Sequence, residues 1–213
     1  HEAVSRDGQE AVPAGGRYLV LLANRGEQRL KTLACAGRLR RGDLDFDHAG
    51  GNTYADEAGA IKPSFPNARY FIRRGEYDYA THPNERTSAS YFERNFMPLI
   101  AQGRVEFVSR SREIVKGIRL VPTPGHTPFH QSVLIESGGD RAFFLGDMAP
   151  THAHLPLPWI MGYDVEPLVT LETKRRILRQ AQDENWLLVF EHDATVAWGY
   201  VQHDGKNYHL RTA

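Results

Sequence analysis

The sequence predicts a single α+β domain spanning residues 1–213, on three observations. The chain is 213 residues long, 41% hydrophobic and 24% charged, which suits one globular core and argues against disorder. Short strand-like apolar runs alternate with segments of helical periodicity. No internal repeat, low-complexity tract or linker divides the chain.

The elements follow in order. Residues 16–24 (GRYLVLLAN) read as a buried strand after a glycine turn, and residues 27–36 (EQRLKTLACA) as a short helix ending at Gly37. Residues 43–52 set Asp43, Asp45, Asp47 and His48 beside the pair Gly50-Gly51, where a backbone turns tightly. Residues 53–68 carry loop composition, residues 69–73 (RYFIR) strand, and residues 76–100 mostly helix with Pro and Asn interruptions. Strands are expected at 105–108, 117–121, 131–136 and 141–145, a Gly-Gly-Asp turn joining the last two. An amphipathic helix at 169–182 precedes a buried strand at 186–190.

Composition narrows the function. Lys plus Arg equals Asp plus Glu at 26 each, so no net field attracts a nucleic acid backbone or an anionic membrane surface. No apolar run approaches the roughly 18 residues of a spanning helix, and the opening residues lack a signal-peptide core. The single cysteine, Cys35, rules out an intrachain disulfide framework and favours a reducing compartment, so the expected location is cytoplasmic.

Three apolar runs, ending at Val121, Leu145 and Phe190, are each followed within a few residues by His or Asp in a turn: His126, Asp147 and His192. Taken singly, each is an ordinary hydrogen-bonded loop residue. Loops gathered at one sheet edge would bring them together, and imidazole with carboxylate donors suits zinc, iron or manganese without any thiolate. Such ions lower the pKa of a bound water toward about 7, which points to hydrolysis.

Four motifs carry a resemblance: Asp47-His48-Ala49-Gly50-Gly51-Asn52, Thr123-Pro124-Gly125-His126-Thr127, Leu145-Gly146-Asp147 and Phe190-Glu191-His192-Asp193. In this order they resemble the motifs of metallo-β-lactamase-fold hydrolases. The resemblance implies an αββα four-layer sandwich, with a shortened or altered N-terminal part. Residues 151–164, with Trp159 and Tyr163, are similar to the lactonase-like branch that includes quorum-quenching N-acyl-homoserine lactonases.

By position, the resemblance implies Asp47, His48 and His192 as ligands of a second metal, His126 as a ligand of the first, and Asp147 as the carboxylate bridging both. It further implies a lactone or related ester opened by metal-bound hydroxide, with Asp47 accepting a proton and Tyr163 steadying the carbonyl or the leaving oxygen. The implied cofactor is a divalent metal, zinc foremost and up to two ions, with manganese or iron as alternatives. Expected partners are a small ester or lactone and a second copy of the chain in a homodimer, with no nucleic acid and no membrane.

The sequence departs from the family at one corner. Asp43 and Asp45 stand where the HxHxDH motif has two histidines, and Asn24-Arg25-Gly26 where Asp-Thr-Gly is usual. Asp43 and Asp45 are kept as candidate metal ligands, and carboxylates in place of imidazoles shift preference toward harder ions. A second alignment matches residues 33–45 to the helix and acidic turn before the HxH strand and leaves about eight residues absent between Asp45 and Phe46; about 3.8 Å between their Cα atoms would exclude a break there. The altered corner motivates two further readings, a non-catalytic member and a hydrolase of another ester class such as phosphotriesters or thioesters. His152 and His154 could reach the cleft, Tyr77, Tyr79, Tyr91, Phe92 and Phe96 could form an apolar acyl pocket, and His82, His130, His203 and His209 are read as structural.

Overall fold

The computed structural model describes residues 44–211. The strand expected at 16–24, the helix at 27–36, Cys35, the 24–26 departure and Asp43 lie outside the described residues.

The first half holds small elements: helix α1 (Phe46–Ala49), strands β1 (Thr53–Ala55), β2 (Ile61–Pro63) and β3 (Tyr70–Arg73), and helices α2 (Arg74–Thr81) and α3 (Met97–Ala101). The region expected to be mostly helical at 76–100 therefore divides into two short helices joined by turns, in keeping with its prolines at 83 and 98. The segment expected as loop at 53–68 instead pairs β1 with β2 as an antiparallel hairpin. Its strands are three residues each and mostly exposed, so they lack the apolar alternation by which a strand is recognised.

Seven strands then build the main sheet: β5 (Arg112–Val115), β6 (Ile118–Pro122), β7 (Gln131–Ser137), β8 (Asp140–Phe144), β9 (Leu187–Val189), β10 (Trp198–His203) and β11 (Tyr208–Arg211), in the order β11-β10-β9-β8-β7-β6-β5. The strand preceding them, β4 (Val105–Val108), pairs in parallel with β3. Helix α4 (Pro167–Asp183) makes the crossover between β8 and β9, the parallel pair of the large sheet. The β7–β8 hairpin turns through Gly138 (φ 61°) and Gly139 (φ 95°), left-handed positions that glycine adopts without penalty. Among the described residues no helix is long and apolar enough to cross a membrane.

Side-chain alternation stacks these elements into layers. Leu134, Phe143 and Leu188 face α4 and its Ile177, Leu178 and Ala181. Their strand neighbours Val133, Ile135, Phe144 and Val189 point the other way, onto Phe71 of β3 and Val108 of β4. On its far side the β3–β4 pair buries Ile72 with Ala80, at the end of α2, and with Phe96, which precedes α3. The order is helix, sheet, sheet, helix, the four-layer arrangement that the resemblance implied.

Topology also aligns the site. Strands β6 and β8 are each antiparallel to β7, and β9 is parallel to β8, so β6, β8 and β9 run in one direction. The loops after all three therefore leave the sheet at the same edge.

Candidate metal centre

Each candidate side chain enters from that edge or from α1, which faces it. The carbonyl of Asp45 accepts the backbone N–H groups of His48 (3.1 Å) and Ala49 (2.8 Å), which sets Asp45 at the start of α1. The Asp45 side chain does not cap the helix and is directed to the site instead. His126 follows β6, where Gly125 lets the loop lie against α4: a Cβ there would fall 2.3 Å from Thr170 Oγ1. Asp147 follows β8, its N–H donating to Nε2 of the buried His130 at 3.1 Å, while Nδ1 of that ring binds the carbonyl of Thr123 at 3.0 Å. His130, read as structural from the sequence, thus links the Asp147 backbone to Thr123. His192 follows β9 and donates its N–H to the carbonyl of Pro150.

Two donor clusters result. In the first, Asp45, His126 and Asp147 converge, with His126 Nε2 3.1 Å from Asp45 Oδ2 and 3.3 Å from Asp147 Oδ2. In the second, Asp47, His48, Asp147 and His192 converge: His48 Nε2 lies 3.1 Å from Asp147 Oδ2, His192 Nε2 lies 3.2 Å from Asp147 Oδ1, and the two imidazole nitrogens are 3.2 Å apart. Asp47 stands farther out, 3.7 Å from His48 and 3.8 Å from His192, and half exposed. Asp147 is 5% exposed and belongs to both clusters.

A divalent cation fits this donor set. Within each cluster the ligand atoms lie within 4.8 Å of one another, and Asp45 Oδ1 is buried without a hydrogen-bond partner. A buried carboxylate oxygen of that kind is costly unless an ion or a donor meets it.

Electrostatics at the centre are set by pairing. Burial would push the His126 imidazole down, but hydrogen bonds to Asp164 and Asp45, with Asp147 nearby, outweigh it and push the group up to about 11. Asp147 is treated likewise: burial would raise it, and His192 and His48 hold it far below the usual carboxylate range.

The clusters form the floor of a cavity of about 610 Å³, whose walls include Phe46, Tyr91, Met161 and Val165. His154 lines it too, its Nδ1 bonded to Thr151 Oγ1 at 2.8 Å, and burial, then the Lys174 charge, push its imidazole below the ordinary value. Tyr163 sits at the rim, 81% exposed. His152 turns away to pair with Asp193, which also takes its N–H at 2.9 Å. Of the aromatics expected to form an acyl pocket, Tyr91 lines this cavity and Phe92 a neighbouring one, whereas Phe96 is buried in the core and the half-buried Tyr77 and Tyr79 pack against it.

Sequence reasoning missed Asp164, whose Oδ1 lies 3.0 Å from His126 Nδ1. An acidic residue just before a helix reads as an ordinary helix start, so the sequence carried no signal for this contact.

Residues 44–192 match the family described as the Metallo-beta-lactamase superfamily. An N-acyl homoserine lactonase of Bacillus sp is 32% identical over 153 residues, 70% of this chain and 53% of that protein. The N-acyl homoserine lactonase AttM of Rhizobium radiobacter is 28% identical over 152 residues, 69% of this chain and 54% of the relative. The chain thus spans about half the length of the curated relatives it matches. Among solved structures, a probable metal-dependent hydrolase from Staphylococcus aureus shares 29% identity with a TM-score of 0.70, over 83% of this chain and 62% of the other. An N-acyl homoserine lactone hydrolase, solved with N-hexanoyl-L-homoserine at its catalytic metal center, shares 25% with a TM-score of 0.57, over 74% of this chain and 56% of that one. With the family match extending over more than half of its residues, the chain belongs to the metallo-β-lactamase superfamily.

Proposed function

We propose that this chain is a metal-dependent hydrolase that opens a lactone or a related ester. The observation that carries the reading is the pair of donor clusters sharing Asp147 at the floor of an apolar-walled cavity. His48, His192, Asp47 and Asp147 would hold one ion, and two imidazoles suit zinc there. Asp45, His126 and Asp147 would hold another, and a single imidazole with two carboxylates also suits manganese or iron. When bound, such ions supply Lewis acidity for the ester carbonyl and hydroxide at neutral pH.

The chain's own residues do the remainder. Phe46, Tyr91, Met161 and Val165 exclude water and receive the apolar part of the substrate. The Asp47 carboxylate, half exposed beside the cavity, accepts the proton that water gives up and returns it to the oxygen released when the ring C–O bond breaks. One water is consumed and a hydroxy acid leaves. Tyr163 presents its phenol from the rim to the carbonyl or to that oxygen. Relatives named as lactonases support this substrate class.

Elemental analysis before and after chelation, with lactone hydrolysis assayed on the same samples, tests the proposal. Nearly two ions per chain and chelator-sensitive hydrolysis are expected. One ion or none, without hydrolysis, would instead support a non-catalytic member, the reading favoured by the single imidazole that the first cluster holds among the described residues. Phosphotriesters and thioesters in the same assay separate the ester classes.

A further inference from the structure

Glu76, on α2, belongs to neither donor cluster, yet its side chain is joined to both flanks of the first. The residue is 0% exposed. Its Oε1 accepts the N–H of Leu44 at 3.4 Å and the hydroxyl of Tyr91 at 3.2 Å, and its Oε2 accepts the hydroxyl of Thr127 at 2.9 Å. Leu44 immediately precedes Asp45, Tyr91 is the β-bridge partner of Asp45, and Thr127 immediately follows His126. Three donors from three separate segments thus meet on one carboxylate, and each is a neighbour of a residue of the Asp45–His126 pair.

We infer that Glu76 is the positioning residue of the first metal site, fixing the separation of Asp45 from His126. This rests on the reading of Asp45, His126 and Asp147 as an ion site. Among the described residues, the Asp45 segment is joined to its surroundings by a β-bridge to Tyr91 and leads into a four-residue helix. Losing this acceptor would deprive the buried Thr127 hydroxyl of its hydrogen bond, which is costly away from water. A metal–ligand distance of about 2.0–2.2 Å tolerates little drift in donor spacing. Groups that orient ligands from behind in this way commonly govern affinity by about 10 to 100-fold.

The test is a cobalt(II) titration of wild type, Glu76→Gln, Glu76→Leu and Thr127→Val, read by calorimetry and visible absorption. Two classes of site are expected in the wild type. Glu76→Leu and Thr127→Val should weaken one class by about 10-fold or more and leave the spectrum of the other unchanged. Glu76→Gln should stay near wild type, because its amide oxygen can take the two donors of Oε1 and the Thr127 hydroxyl can turn to accept from its NH2. A folded Glu76→Leu protein with both classes unchanged overturns the inference. So does equal weakening of both classes, which marks a global structural role, or a Glu76→Gln variant as weak as Glu76→Leu. If Glu76→Leu does not fold, Thr127→Val decides by the same criteria. A wild type with only one class of site overturns the two-ion reading and this inference with it.

Discussion

Asp164 Oδ1 stands 3.0 Å from Nδ1 of His126, and the same carboxylate takes a 2.6 Å hydrogen bond from Thr170 of α4 through Oδ2. With Nδ1 facing Asp164, the nitrogen left to meet an ion is Nε2, the one facing Asp45 and Asp147. Asp164→Ala is therefore expected to weaken ion binding at the first cluster by about 10 to 100-fold while sparing the second. Asp164→Asn should fall between, since its amide oxygen still accepts from Nδ1–H. Metal content after graded dialysis measures both.

His192 supplies one of the two imidazoles of the second cluster. His192→Ala should remove the ion held there and abolish hydrolysis, with fold retained. Unchanged ion count and lactone turnover would remove His192 from the ligand set.

In the first of the two alignments that the resemblance allows, Asp45 stands where the HxHxDH motif has an imidazole. In Asp45→His the first cluster gains a borderline nitrogen donor and loses a hard oxygen, so its share of zinc should rise in a zinc–manganese competition read by elemental analysis. An unaltered ratio would show that this position does not set ion choice.

Tyr163 is 81% exposed, so Tyr163→Phe should leave stability within about 0.5 kcal/mol of wild type and leave ion content unchanged. Turnover of the lactone should slow. Equal turnover would end the role given to its phenol.

Lys174 is buried on α4 and donates to the carbonyls of Pro156 (2.9 Å) and Trp159 (2.8 Å), beneath the loop that walls the cavity. Burial pushes its ammonium down to about 8, against 10.5 ordinarily, with Asp164 opposing in part. Between those values the unfolded chain binds more protons than the folded one, so this residue's contribution to stability rises with pH from about 8 to 10.5. Wild type should gain stability over Lys174→Met across that window in urea unfolding series. A constant difference would contradict the burial of a charged amine.

Much of this was legible in the sequence. Leu120, Phe143 and Leu188 lie in the apolar runs of β6, β8 and β9, and the turn after each run carries His126, Asp147 or His192. The exposed β1–β2 hairpin was not legible, nor were the edge strands β5 and β11 and their neighbour β10, because short exposed strands and strands of mixed burial leave little period to detect. Asp164 and Glu76 escaped for another reason. Their partners lie 38, 32, 15 and 51 residues away, and no local pattern announces such contacts.

The donors run from Asp45 to His192, nearly the full span of the family match, and no two of the loops after β6, β8 and β9 are local to each other. An ion held by both ends fastens the first described residues to the crossover closed by α4. Because such an ion binds only the folded arrangement, it adds about 4.1 kcal/mol of stability at 1,000 times its dissociation constant. On the proposed reading, occupancy would close the longest loops between these donors, and the ions in the surrounding medium would become part of what decides whether this polypeptide is folded.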